Sequence, residues 1–177
     1  MITNDVPAEV QAVFREFRTC EFSTFSKNGT PITWPTAPFL LESGQFLITS
    51  PIGIPQKMLH VRRNPRVSLL FSDKTGTSLS DPPAVLVQGD AKAPDEIITT
   101  TVGYEEQFLT IFRRQPASSL YSSNPLMRYL FDWYYMRLAI YVTPCHITWW
   151  EHGDFISTPD ELEVEHVGRN YQTLAEL

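Results

Sequence analysis

The sequence predicts a mainly β, α+β domain, an antiparallel barrel that is closed or partly closed and carries flanking helices. Three observations predict it. The 177 residues include 14 prolines and 8 glycines, a punctuation that favours short strands over long helices. Five runs of strand-like composition precede a helical crossover and at least one more follows it, the pattern of a barrel with helices at its ends. No internal repeat and no long linker divides the chain, so residues 1–177 read as a single domain, long enough to bury roughly 70% of its unfolded surface.

The first element is an amphipathic helix over Asp5–Arg18, with Val6, Val10, Val13, Phe14 and Phe17 at helical spacing, Asn4 as cap and Pro7 in the first turn. Cys20–Lys27 and Thr30–Leu41 flank Asn28-Gly29, a hairpin signal in which both turn residues tolerate positive φ. A break at Glu42-Ser43-Gly44 leads into Gln45–Ser50, so these runs predict a three-stranded meander. Pro55–Asn64 reads as a short helix, with Pro55 at its first position and Pro65 forcing the exit. Val67–Ser72 and Ala84–Lys92 are the next strands, separated by a polar loop with the Asp81-Pro82-Pro83 break. Helices are predicted over Asp95–Arg114 and from Asn124 to Met136, then strands over Arg137–Thr143 and His146–Trp150. The last segment, about 155–177, reads as an acidic surface tail, with Asp160, Glu161, Glu163 and Glu165 close together.

At 42% hydrophobic and 19% charged the composition is that of an ordinary globule. The longest apolar runs fall far short of the roughly 20 residues that span a bilayer, and the first residues lack the basic start and apolar stretch of a signal peptide. The expectation is a cytoplasmic protein. Cys20 and Cys145 lack metal spacing and read as two buried thiols. The net charge of −6 comes from residues 151–177, which hold seven acids and one base; residues 1–150 balance at thirteen of each. A general surface for nucleic acid or anionic membrane is not expected.

Several classes are excluded by missing motifs: Gly-x-Gly-x-x-Gly, a phosphate loop with Gly-Lys-Ser/Thr, Gly-x-Ser-x-Gly, His-Glu-x-x-His and Cys-x-x-Cys. His60, His146, His152 and His166 share no ligand spacing, so no metal site is expected. One window points to an anion. No acid lies between Glu42 and Asp73, whereas Lys57, Arg62, Arg63 and Arg66 do. Within it Ile48-Thr49-Ser50 ends a strand, a bend with Pro51, Gly53 and Pro55 follows, and Gln56-Lys57 opens a helix. Hydroxyls leaving a strand, free N–H groups at a helix start and a lysine beside them suit a dianionic phosphate. The plainer reading is a solvated helix with a basic first turn, and Arg62 and Arg63 at its other end fit a dipole role as well. The aromatic run Tyr129, Phe131, Trp133, Tyr134 and Tyr135 reads as packing, although a planar ring could stack there; Trp149 and Trp150 alternate in a strand, and one of them is a candidate to cover such a ring.

The stretches FSTFSKNGTP (22–31), GQFLITS (44–50) and KMLHVRRNPRVSLLF (57–71), with VLVQG (85–89), VTP (142–144) and ITWW (147–150), resemble the pyridoxamine 5'-phosphate oxidase-like FMN-binding split-barrel family over about residues 10–154. The resemblance implies a split antiparallel barrel, a homodimer, and flavin mononucleotide in a cleft between subunits. It implies that Thr49, Ser50, Gln56 and Lys57 lie at the phosphate, and that Trp34, Pro35, Thr36 and Ala37 run along the isoalloxazine ring. Trp34 and Gln56 stand where the oxidase branch often has arginine. The C-terminal arginine motif of that branch is absent, and the acidic tail should repel a phosphorylated substrate. The implied activity is therefore a flavin-dependent oxidoreductase acting on a small organic substrate other than pyridoxamine phosphate, with no catalytic side chain singled out. Two alternatives stand beside it: a deazaflavin-dependent reductase of the same fold, with Arg62, Arg63 and Arg66 supplying a more basic cleft, and a non-enzymatic module that binds flavin, haem or another partner.

Overall fold

A computed structural model describes residues 6–75, 77–99, 105, 109 and 136–164. Its first helix, α1 (Ala8–Glu16), turns Val10, Val13 and Phe14 inward and ends at Phe17, where the backbone becomes extended. The strands that follow are β1 (Cys20–Phe25), β2 (Pro31–Thr36), β3 (Phe39–Leu40) and β4 (Phe46–Pro51). Helix α2 (Gln56–Arg63) begins after Pro55 and stops at Asn64, one residue before Pro65, as the restriction on the residue preceding proline requires. Strands β5 (Arg66–Phe71), β6 (Ala84–Lys92), β7 (Ile97–Ile98), β8 (Arg137–Trp150) and β9 (Asp160–Glu163) complete the set, with a short 3₁₀ turn at Glu151–Gly153.

The strands form one antiparallel sheet in the order β2-β1-β5-β6-β8-β4-β3, with β7 and β9 pairing to β8. β2 and β3 stand at opposite ends of that order, yet only Ala37 and Pro38 separate them in the chain. The sheet must therefore curl until its ends approach. The interior shows the same curl, because Phe46 of β4 and Phe71 of β5 lie 5.9 Å apart between ring centroids although β6 and β8 intervene. Phe14 of α1 meets both, edge-on to Phe46 at 5.0 Å and tilted against Phe71 at 5.3 Å. Aromatic contacts of this kind are worth about 0.5–1.5 kcal/mol each beyond burial, and here they fix α1 against the phenylalanines of β4 and β5. The fold is thus mainly β with flanking helices, as the sequence predicts.

Several local expectations are corrected. The β1–β2 hairpin forms, but Ser26 pairs with Thr30 around a loop in which only Gly29, at φ +78°, is left-handed; this is a turn closed by a glycine bulge, and Asn28 needs no positive φ. The three-stranded meander does not exist: the run predicted over Thr30–Leu41 breaks at Pro38, its first half pairing with β1 and its second with β4. The two strands expected over 137–150 are one continuous β8. Its Pro144 is accommodated by a bulge, since the register passes from Gln88↔His146 to Gly89↔Pro144 and leaves Cys145 as the extra residue. Gly89 permits the approach; a Cβ there would run into the Thr143 carbonyl, 2.9 Å from its carbon and 3.1 Å from Pro144 Cα. Finally, the acidic tail contributes an edge strand, with Leu162 and Val164 packed on the core and His146 Nδ1 3.0 Å from Glu163. In the helix expected over 95–114, Ile97–Ile98 is instead a strand, and most of its remainder lies outside the described residues, as do Asn4, the helix expected from Asn124 apart from Met136, the aromatic run at 129–135, His166 and residues 165–177.

Candidate functional site

The site grows from the end of β4. Thr49, Ser50 and Pro51 pair with Ala139, Leu138 and Arg137 at the start of β8, so two strand ends open side by side. The chain then bends through Gly53 into α2, held by Ile54 N–H donating to Pro51 O at 3.0 Å and Ile52 N–H donating to Met136 O at 3.2 Å. The fully buried Ser50 hydroxyl donates to Ile54 O at 3.0 Å and accepts from Lys57 Nζ at 3.2 Å. That reciprocal arrangement aims a lysine in the first helical turn back at the strand end. On the other side the Lys57 ammonium lies 5.4 Å from the centroid of the Trp34 ring, a cation–π contact.

These groups border an open cleft of about 120 Å³. Pro35, Thr36 and Ala37 form one wall, and Thr49, Ser50, Lys57 and Arg137 form the facing end. Lys57 and Arg137 are buried, and no carboxylate is present among the described residues of the lining. Burial holds the Lys57 ammonium below its ordinary pKa, and the neighbouring Arg137 guanidinium lowers it further. Two cations gathered with hydroxyl groups and no acid make a receptor for an anion.

Six of the eight residues singled out from the sequence line this cleft: Pro35, Thr36, Ala37, Thr49, Ser50 and Lys57. Trp34 does not; it stands behind Lys57, its indole N–H donating to Thr24 Oγ1 at 3.2 Å. Gln56 is exposed at the helix start and is not part of the lining. Arg62, Arg63 and Arg66 lie elsewhere: Arg62 donates to Ala93 O and Pro94 O and pairs with Asp95 at 2.8 Å, while Arg63 donates to Leu59 O of its own helix. Trp149 and Trp150 sit at the far end of β8 from Arg137, Trp149 against the core and Trp150 against Phe155. Sequence reasoning missed Arg137. It stands at the head of an apolar strand, and nothing local distinguishes it from any basic strand-end residue. Among the described residues no three His, Cys, Asp or Glu side chains converge as a metal site would require. Burial pushes the Cys145 thiol up, away from thiolate chemistry.

No protein-family model and no curated protein matches the sequence. Solved structures do match. A Clostridium acetobutylicum protein related to general stress protein 26, described as of the pyridoxinephosphate oxidase family, superposes with a TM-score of 0.53 at 13% identity over 92% of each chain. The chain has the split-barrel fold of the pyridoxamine 5'-phosphate oxidase-like proteins. An F420 reductase shares the split barrel with a TM-score of 0.54 at 18% identity, over 80% of this chain and 98% of its own. A haem-binding protein from Mycobacterium smegmatis gives 0.55 at 12% identity, over 89% of this chain and 59% of its own. No helix among the described residues of this split barrel is long and apolar enough to cross a membrane.

Proposed function

We propose that this split barrel binds flavin mononucleotide in the cleft between the Pro35–Ala37 wall and the Lys57–Arg137 end, and works as a cytoplasmic, homodimeric oxidoreductase on a small organic substrate. One observation carries the reading: two buried cations and three hydroxyl-bearing residues, Thr36, Thr49 and Ser50, meet in a cleft with no carboxylate among its described lining residues. That donor set fits a dianionic phosphate, and the extended wall leading away from it suits a flat ring system. A second copy of the chain would cover the open side of the cleft, where Ile54 is 49% exposed.

Bound flavin supplies two-electron hydride exchange. The chain's part is to hold and orient. Lys57 and Arg137 neutralise the phosphate, Ser50 fixes the direction of the lysine, and Thr49 offers a further hydroxyl. Pro35, Thr36 and Ala37 line the ring and keep water from one of its faces. Among the described residues of the lining the ionisable groups are Lys57 and Arg137, and no general acid or base is assigned.

The test is mass spectrometry of whatever small molecule is released on heating freshly purified protein, with its visible spectrum recorded first, followed by titration with flavin mononucleotide, the deazaflavin F420 and haem. Flavin mononucleotide released or bound in preference to the others is the expected result. Preference for F420 would make the protein a deazaflavin reductase. Binding of none, by a chain that remains folded, would remove the cleft reading and leave a non-enzymatic module.

A further inference from the structure

Behind the cleft lies a buried polar chain that the proposed function does not use. Antiparallel register turns Thr24 and Phe22 of β1 to the same face as Ile32 and Trp34 of β2, and α2 packs across that face with Lys57 and His60, three residues apart and both buried, pointing the same way. The Trp34 indole N–H donates to Thr24 Oγ1 at 3.2 Å; Thr24 Oγ1 lies 3.0 Å from His60 Nδ1 and 3.4 Å from Ile32 O. The Trp34 ring is 6.2 Å from the His60 ring, and it carries the Lys57 ammonium 5.4 Å from its centroid.

The donors and acceptors give this chain a direction. Indole N–H is a donor only, so Thr24 accepts from Trp34 and has one proton left to give. Burial, with the Arg63 charge nearby, holds His60 below its ordinary pKa, which favours neutral imidazole. In one tautomer Nδ1 accepts the Thr24 proton; in the other it donates to Thr24 Oγ1, whose proton then goes to Ile32 O, and in both the Trp34 N–H keeps Thr24 Oγ1 as its acceptor. A ring fixed at its N–H edge presents a fixed face. That face is the one beneath Lys57.

We infer that Thr24, backed by His60, is a positioning residue: it pins the Trp34 indole so that its face holds the Lys57 ammonium toward Ser50 and the cleft. The ligand this serves rests on the flavin reading, but the pinning itself does not, and the two are separable by experiment. Ring current shifts protons above an aromatic face upfield. In ligand-free protein the Lys57 ε-methylene signals should therefore lie upfield of those of exposed lysines. Thr24→Val keeps the shape and removes the hydroxyl; it should return those signals more than halfway to ordinary lysine positions, and Thr24→Ser should restore them. Signals unmoved in Thr24→Val would overturn the inference. His60→Leu should move the same signals in the same sense, and if it leaves them in place His60 has no part.

In flavin titrations Thr24→Val should weaken affinity by about two- to tenfold. In a Trp34→Phe background, which keeps a ring and lacks the N–H, the same substitution should have no further effect. An undiminished effect there would show that Thr24 acts by another route and overturn the assignment. If wild-type protein binds no flavin at all, the functional reading fails, while the ε-methylene shifts still decide the positioning.

Discussion

Lys57 gives the sharpest handle on the site, because its buried ammonium makes the ligand-free fold sensitive to alkaline pH in a sense that can be worked out. Its pKa is lowered in the folded protein, first by burial and then by Arg137, whereas in the unfolded chain it titrates near 10.4. Below the folded-state value both states hold the proton and the native state bears the whole cost of the charge. As pH rises through that value the native lysine releases its proton first. The unfolded chain then binds more protons, so stability rises with pH until both forms are neutral. The slope for one proton reaches at most about 1.4 kcal/mol per pH unit, or about 3–5 °C in Tm per unit for a chain of this size. Melting ligand-free wild type and Lys57→Met from pH 7 up to about 10.4, the unfolded-state value, isolates the effect, because the packing lost in the variant does not vary with pH. The expected result is a Tm advantage of Lys57→Met over wild type that shrinks as pH rises. Flavin affinity should change the other way, falling by up to about tenfold per unit over the same window in wild type and staying flat in Lys57→Met. A Tm difference that does not change with pH would refute the claim that Lys57 carries a penalised charge in the native fold.

Two further outcomes are expected. Arg137→Gln removes the second cation of the cleft and should raise the Kd for flavin mononucleotide by about ten- to a hundredfold, read from quenching of flavin fluorescence, while leaving any binding of unphosphorylated riboflavin unchanged. Gly89→Ala sets a methyl group against the Thr143 carbonyl and Pro144 Cα, both backbone, and should cost about 3 kcal/mol in urea denaturation; a loss below about 0.5 kcal/mol would mean that the bulge can shift to make room.

What could be read from the sequence was local. Pro55 and Pro65 delimit α2, Asn28-Gly29 marks the first hairpin, and Thr49, Ser50 and Lys57 fall within a single strand–bend–helix unit, so their convergence follows from the order of residues alone. What escaped was set by pairing partners distant in sequence. Period-two patterning says that a run is a strand but not which strand it joins, and the run from Thr30 to Leu41 is shared between β1 and β4, which stand next to opposite ends of the sheet. Pro144 reads as a break because proline gives no ladder hydrogen bond. Only the bulge opposite Gly89 shows how β8 passes through it. Arg137 is invisible for the same reason, as it reaches the cleft through the pairing of β8 with β4.

The source of the cleft's charge follows from that topology. The resemblance places an arginine of the oxidase branch where this chain has Trp34, and an indole cannot bind an anion through charge. It can hold a cation, and Trp34 holds Lys57. The second positive group comes instead from Arg137, on a strand that pairs with β4 and β6 and not with β2. One cation thus rides on α2 and the other on β8, and the hydroxyl groups between them belong to β4. The facing wall comes from β2 and the residue after it, which reach the cleft only because the ends of the sheet curl together. Loosening that curl separates the wall from the charges before it disturbs the Ser50–Lys57 contact, which is local to β4 and α2. Affinity for the ring should therefore be lost before affinity for the phosphate as the barrel is destabilised.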